Sequence, residues 1–360
     1  MSSGTILIRV DASAEIGTGH VMRCLALAQA WQDSGRCAVF LLAQSTSAVR
    51  ARLAREGCAV ISVAVLPGSM EDANQTSEFA RRYEVDWVVI DGYSFRADFL
   101  DTISRSGHRV LCIDDGGELD YYPADLVLNQ NLNANENWYR RRASHAQLLL
   151  GPGYCLLRRE FARWREWQRE ISASPCTALL TLGGSPSAEI GIRVMESLGR
   201  INLKGFQILF AVGGSSRAFA QLETCAAQFA DKISVRKDVQ DMTGLMAAAD
   251  IAISAAGCTC WELCFFGVPM VLLDVAPNQT PVAKELHRQG CAVHLGTANQ
   301  VEPAEIASAI ETLLSSQNIR ESLSQRCRQL VDGLGAQRVV AAMQSAARRP
   351  ALARSHVESV

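Results

Sequence analysis

Two doubly wound α/β domains facing a cleft are predicted, and three observations predict them. Short apolar, β-branched runs alternate with helical patterns from end to end of the 360 residues. The alternation breaks at a charged stretch, RREFARWREWQRE at 158–170, and then starts again. The length is that of about two domains at roughly 100–200 residues each.

In the first half the strand candidates are 5–10 (TILIRV), 38–42, 58–63, 86–91, 109–113 and 125–128. Between the first two, Val21, Cys24, Leu25 and Ala28 share one face of a helix. Strands alternating with helices call for a parallel sheet covered on both faces. Phe161, Trp164 and Trp167 in the charged stretch predict a linker helix resting on a domain surface, and SASP after it is a turn. The second half offers strands at 177–182, 206–212, 250–254, 269–273 and 291–295. The predicted organisation is a first domain over 5–157, a linker helix over 158–176 and a second domain over 177–335. Residues 336–360 follow as a helix and frayed tail, the helix either returning across the cleft or hanging loose.

Composition narrows the function. With 35 Lys+Arg against 37 Asp+Glu the net charge is −2, so no basic field for nucleic acid and no polybasic membrane patch exists. No apolar run approaches the roughly 18 residues of a membrane span, and Arg9 interrupts the early run, so a soluble, cytoplasmic protein is expected. The 12 cysteines are scattered as small core hydrophobes; Cys258, Cys260 and Cys264 lack a partnering histidine and are not read as a metal site. No metal and no cofactor is expected. The oligomeric state is not fixed by the sequence; a monomer is the expectation.

In open parallel sheets, ligands bind beyond the carboxyl ends of the strands. The first such end, DASAEIGTGHVMR from Asp11 to Arg23, enters a helix through Gly17, Gly19 and His20. Glycines admit a ligand close to the backbone, and a helix start disfavours the imidazolium, so His20 is a candidate general base. The plainer reading is that Gly17 and Gly19 simply make the turn, with His20 an exposed capping residue. Gly183, Gly184 and Ser185 follow the strand 177–182 and suit a phosphate or a plain turn. In SAAGCTCWE, Ala256 and Gly257 leave room for a diphosphate at a helix start, Thr259 can donate to it, and Glu262 can accept both hydroxyls of a ribose. Alternatively Glu262 is a first-turn acid matched to the helix dipole. Asn278 and Gln279, between prolines, are turn residues unless their loop adjoins that one. Asp91 and Tyr93 end one strand, and Asp114 and Asp115 another; each Asp is a site candidate or the cap of the next helix.

Taken together, ILIRVDASAEIGTGHVMRCLALA, VVIDGY, CIDDGG with LNQN, LGPGYCLLRREF, TLGGSP and ISAAGCTCWELCFFGVPMVLLDVAPNQ carry a resemblance. In this order, from about residue 5 to about 295, the chain resembles the UDP-2,4-diacetamido-2,4,6-trideoxy-β-L-altropyranose hydrolases of pseudaminic acid biosynthesis. That family in turn is similar to the two-domain GT-B nucleotide-sugar glycosyltransferases. The resemblance implies a GT-B-like fold and a UDP-sugar substrate. It also implies His20 as the base that activates water at the anomeric carbon. UDP contacts would fall on Gly183 and Gly184, on Ala256 to Glu262, and on Asn278 and Gln279, with the sugar held by the first domain. Pro186 and Gly92 depart from the family's pattern. A glycosyltransferase of the same architecture and a non-catalytic UDP-sugar sensor are the rival readings.

Overall fold

The computed structural model describes residues 4–13, 16–184, 186–199, 201, 205–214, 216–229 and 232–346. Its first half runs β1 (Thr5–Val10), α1 (Gly19–Asp33), β2 (Cys37–Leu42), α2 (Ser47–Arg55), β3 (Ala59–Ser62), α3 (Met70–Arg82) and β4 (Trp87–Asp91). Then come α4 (Ala97–Arg105), β5 (Arg109–Ile113), β6 (Leu126–Asn129) and β7 (Gln147–Leu150). The second half restarts with β8 (Thr177–Thr181), α5 (Ala188–Gly199), β9 (Gln207–Val212), α6 (Phe219–Ala226), β10 (Ile233–Lys237) and α7 (Met242–Ala248). It continues through β11 (Ile251–Ala255), α8 (Thr259–Phe266), β12 (Met270–Asp274), α9 (Thr280–Arg288) and β13 (Val293–Thr297). Three helices close the chain: α10 (Pro303–Ser315), α11 (Gln317–Leu330) and α12 (Gly335–Ser345).

Each half is one parallel sheet. The first has the order β3-β2-β1-β4-β5-β6-β7 and the second β10-β9-β8-β11-β12-β13. In both, the chain winds outward from the first strand, returns, and winds the other way, so a crevice opens where the order reverses. That point is β1/β4 in one sheet and β8/β11 in the other. The fold class is therefore the predicted one, two Rossmann-like domains.

Alternation along the strands builds both cores. Ile6 and Ile8 of β1 pack with α1, with Val49 and Leu53 of α2 and with α12, while Leu7 faces Phe99, Leu100 and Ile103 of α4. In the second sheet Leu180 and Phe210 join α5 and α6, and Leu179 and Leu272 join α8 and α9. Arg9, on the α3 face of β1, is fully buried; its Nε and Nη2 each lie 2.8 Å from the Asp72 carboxylate and Nη1 lies 2.8 Å from Asp11. A buried cation is tolerated because both carboxylates neutralise it.

Several expectations are corrected. The linker helix is a 3₁₀ segment, Arg159–Trp164, followed by irregular chain. A spacing of three residues eclipses side chains at three residues per turn. Phe161 and Trp164 within the segment, and Trp167 just beyond it, all meet Phe266, with ring centroids 5.4–5.8 Å apart. Helix α1 is buried on more than the predicted face, because α12 returns to the first domain and covers it through Val339, Val340 and Met343. Gly335 begins this return where a Cβ would lie 2.1 Å from the Cys155 carbonyl oxygen. The tail beyond residue 346 lies outside the described residues. Strands β7 and β10 were not predicted; both are sheet edges. Among the described residues no helix is long and apolar enough to cross a membrane.

Candidate active site

The two crevices face each other across a cleft of about 790 Å³. From the first domain Gly17, Gly19, His20, Arg23 and Tyr93 line it; from the second come Gly183, Gly184, Ala256, Gly257, Thr259, Glu262, Asn278 and Gln279. Topology explains the meeting. His20 follows β1 and Asp91 ends β4, the strands of one switch point, whereas Gly183 follows β8 and Ala256 follows β11, the strands of the other.

On the first-domain wall the charges are locked. His20 Nδ1 lies 2.7 Å from Asp91 Oδ1. Arg23 grips Asp91 with Nε and Nη2, both at 2.7 Å, and Asp115 with Nη1 at 2.7 Å and Nη2 at 3.0 Å. Asp91 is fully buried. Burial alone would raise its pKa, but Arg23 and His20 outweigh it and hold the carboxyl well below the usual range. Asp115 is likewise lowered, burial being overcome by Arg23. An ionised carboxylate only accepts, so the short contact to Asp91 calls for a hydrogen on Nδ1, a nitrogen that Arg23 Nη2 also approaches at 3.0 Å, and Nε2 is the ring nitrogen left for proton transfer.

Tyr93 completes this wall. Its ring stands edge-on to His20 at 4.9 Å, and its hydroxyl donates to Asp115 Oδ2 at 3.1 Å. The same hydroxyl accepts from Asn278 Nδ2 at 2.7 Å, a contact between the two domains. Asn131 Nδ2 donates to Asp115 Oδ1 at 3.0 Å.

The second-domain wall is mostly backbone. Gly183 has φ +90°, a left-handed conformation that disfavours any side chain, and a Cβ on Gly184 would lie 2.6 Å from Thr18 Oγ1. Helix α8 starts at Thr259, and the Cys260 amide donates back to the Gly257 carbonyl, before the helix, at 3.0 Å. The amides before it have no intrahelical acceptor and carry the positive end of the dipole. Cys258 sits there beside Gly19, its thiol pushed up to about 11 by burial, so it adds no negative charge. One turn on, Glu262 Oε1 accepts from Arg158 Nη1 at 2.7 Å. Burial raises the Glu262 pKa and Arg158 opposes that rise.

Two predicted residues stand apart from the cleft wall. Asp91 lies behind it, acting through His20 and Arg23. Asp11 binds the Ala43 and Gln44 amides at 2.7 and 2.8 Å and pairs with Arg9, so its work is to tie β1 to the end of β2. Ser185 lies outside the described residues. Conversely, Arg158 reaches the cleft without having been a candidate, and Asp115, one of the strand-end candidates, lines it as well. For Asp115 the signal was present at the end of VLCIDD. Its neighbour Asp114 instead accepts from Tyr139 at 2.7 Å and the Gly117 amide at 2.7 Å, a structural role. Among the described residues no group of three or more His, Cys, Asp or Glu is arranged to hold a metal ion.

Comparison with known proteins places these walls in context. Residues 178–333 match the family model of the glycosyltransferase family 28 C-terminal domain. The chain is 26% identical over 345 residues to the spore coat polysaccharide biosynthesis protein SpsG of Bacillus subtilis, covering 94% of this chain and 97% of that protein. It is 26% identical to an uncharacterized protein of Methanocaldococcus jannaschii, covering 74% of this chain but only 55% of that protein's length. It is 23% identical over 262 residues to the UDP-2,4-diacetamido-2,4,6-trideoxy-β-L-altropyranose hydrolase of Campylobacter jejuni, covering 70% of this chain and 87% of that enzyme. Among solved structures, MurG of Acinetobacter baumannii superposes with a TM-score of 0.69 at 19% identity over 95% of this chain and 99% of that one. This is a two-domain protein of the GT-B fold whose second half matches the family 28 glycosyltransferase C-terminal domain.

Proposed function

We propose that the protein hydrolyses a UDP-linked 2,4-diacetamido-2,4,6-trideoxy sugar at the anomeric C–O bond, without a catalytic metal, releasing UDP and the free sugar. The observation that carries the reading is the His20–Asp91 pair on one wall of the cleft opposite a glycine-lined helix start on the other. Similarity to the C. jejuni hydrolase supports the choice of sugar and of water as acceptor.

In this mechanism the second domain holds UDP. The diphosphate lies on the amides of Gly257 to Thr259 and of Gly183 and Gly184, and the ribose hydroxyls donate to Glu262. The sugar lies toward the first domain. His20 Nε2 takes a proton from water as the oxygen attacks C1 on the face opposite the leaving group. The C1–O bond breaks, its electron pair leaves on the β-phosphate, and the anomeric configuration inverts. Asp91 fixes the ring and its tautomer, Arg23 fixes Asp91, and the helix start stabilises the charge that grows on the diphosphate. Tyr93 and Asn278 close the sugar end of the cleft.

A second reading, a glycosyltransferase in which a sugar hydroxyl replaces water, is favoured by the family 28 match. One experiment separates the two. The protein is incubated without acceptor, in oxygen-18 water, with UDP-linked 2,4-diacetamido and 2-acetamido sugars, and the products are weighed by mass spectrometry. Hydrolysis predicts UDP and free sugar, with the label on the sugar. Turnover only after an acceptor is added supports the transferase, and label on UDP overturns attack at carbon.

A further inference from the structure

The segment that carries the chain from the first domain to the second also reaches into the nucleotide wall. Arg158, just before the 3₁₀ segment, is nearly buried, with its guanidinium carbon 5.4 Å from the centroid of the Phe161 ring. Its Nη1 donates to Glu262 Oε1 at 2.7 Å and its Nε to Glu160 Oε1 at 2.9 Å. The other oxygen of Glu160 accepts from Arg52 Nη2 of α2 at 2.8 Å. Four alternating charges, Arg52, Glu160, Arg158 and Glu262, therefore run from a helix of the first domain to the first turn of α8 in the second.

We infer that Arg158 is a positioning residue for ribose recognition, holding Glu262 in place to accept the sugar hydroxyls of the nucleotide, and that Glu160 and Arg52 anchor it to the first domain. The inference rests on the proposal that UDP occupies the second-domain wall. A carboxylate can hold two hydroxyls of a diol only if its plane is fixed and it stays ionised. Glu262 sits where burial favours its neutral form, and Arg158 supplies the opposing charge and a directed hydrogen bond. Arg158 in turn is constrained by Glu160 and by the Phe161 ring. Arg52 also pairs with Glu56 at 3.1 Å, which ties the far end of the chain of charges to α2.

Titration calorimetry with UDP and with 2′,3′-dideoxy-UDP tests this on the full-length protein and the variants R158M, R158K, E160Q and E262Q, with thermal melting to establish that each is folded. The unaltered protein should prefer UDP by about tenfold or more, the worth of hydrogen bonds to a charged group. R158M and E262Q should bind the dideoxy nucleotide as the unaltered protein does and lose most of that preference. R158K should restore part of it, and E160Q, the milder change, should lower it about threefold. A folded R158M that keeps the full preference while E262Q loses it overturns the role of Arg158. Equal weakening toward both nucleotides in folded R158M overturns it too, since the defect then lies outside the ribose. A folded E262Q that keeps the preference places the ribose elsewhere and overturns the underlying nucleotide site with it. Should R158M fail to fold, E160Q and R158K decide by the same measure, an unchanged preference in E160Q and R158K that matches the unaltered protein counting against the inference.

Discussion

The two walls of the cleft are built from opposite materials. The first-domain wall is a lattice of buried side-chain charge, in which one guanidinium binds two carboxylates and one of these binds His20. The second-domain wall offers glycine backbone and a helix start, and its ion pair, Glu262 with Arg158, sits one turn back from that start. The difference teaches a division of labour. Proton transfer needs a side chain held at one angle, which costs buried charges and their partners. An anion with two phosphates needs many weak donors at close range, which backbone supplies once side chains are absent. Substitutions on the first wall should therefore change turnover or stability while sparing nucleotide binding, and substitutions on the second should weaken nucleotide binding first.

The largest effect is expected at the imidazole. His20→Ala should lower turnover by about 10²–10⁴-fold, the usual worth of a general base, while calorimetry finds UDP affinity within about threefold of the unaltered protein. Lost UDP affinity in a folded variant would break the division of labour. Next comes Arg23→Met, which leaves Asp91 and Asp115 buried without their shared cation. Stability should fall by roughly 3–5 kcal/mol, read from urea unfolding, and turnover should fall with it. A loss under about 1 kcal/mol would mean that the two carboxylates find other partners.

Acid should expose the same lattice. Asp91 and Asp115 titrate below the ordinary carboxylate range in the fold, so the native protein binds fewer protons there than the unfolded chain does. Their contribution is complete above an unfolded pKa of about 4 and is lost as pH falls through the lower native values. Urea midpoints measured from pH 7 down to pH 3 should drop more steeply in the unaltered protein than in Asp91→Asn. Equal slopes would remove Asp91 from the account. The smallest effect belongs to the second wall. In Gly213→Ala the new Cβ would lie 2.2 Å from the Gly184 carbonyl oxygen, so the Gly-Gly loop must shift. A stability cost of about 1–3 kcal/mol and weaker UDP binding should follow, with turnover at saturating substrate little changed.

What was legible beforehand follows the range of the interactions. Central strands read clearly because both faces are buried and their apolar runs are unbroken, as in Leu179 and Leu180 of β8. The edge strands β7 and β10 did not: in Ile233–Lys237 only Ile233 is fully buried, so no run stands out. Aromatic spacing in 158–170 was seen and read as a linker helix; a 3₁₀ turn forms only over Arg159–Trp164, while the three rings do rest on the second domain at Phe266. His20, Tyr93 and the glycines of the site lie next to strand ends and could be picked out locally. The pairing of Arg23 with Asp115 spans 92 residues and exists only once β1 and β5 share a sheet. Asp11 shows the converse error, a polar residue in the right loop whose partners, the Ala43 and Gln44 amides, turn it away from the cleft.

The central claim, a base on one wall and a nucleotide on the other, is tested most directly by a crystal structure with UDP bound. The account predicts the diphosphate against the Gly257–Thr259 amides, with the β-phosphate roughly 6–9 Å from His20 Nε2, room for one water and the anomeric carbon between them. Density for UDP in any other part of the molecule, or a β-phosphate more than about 12 Å from that nitrogen with the domains in the arrangement described, would contradict it.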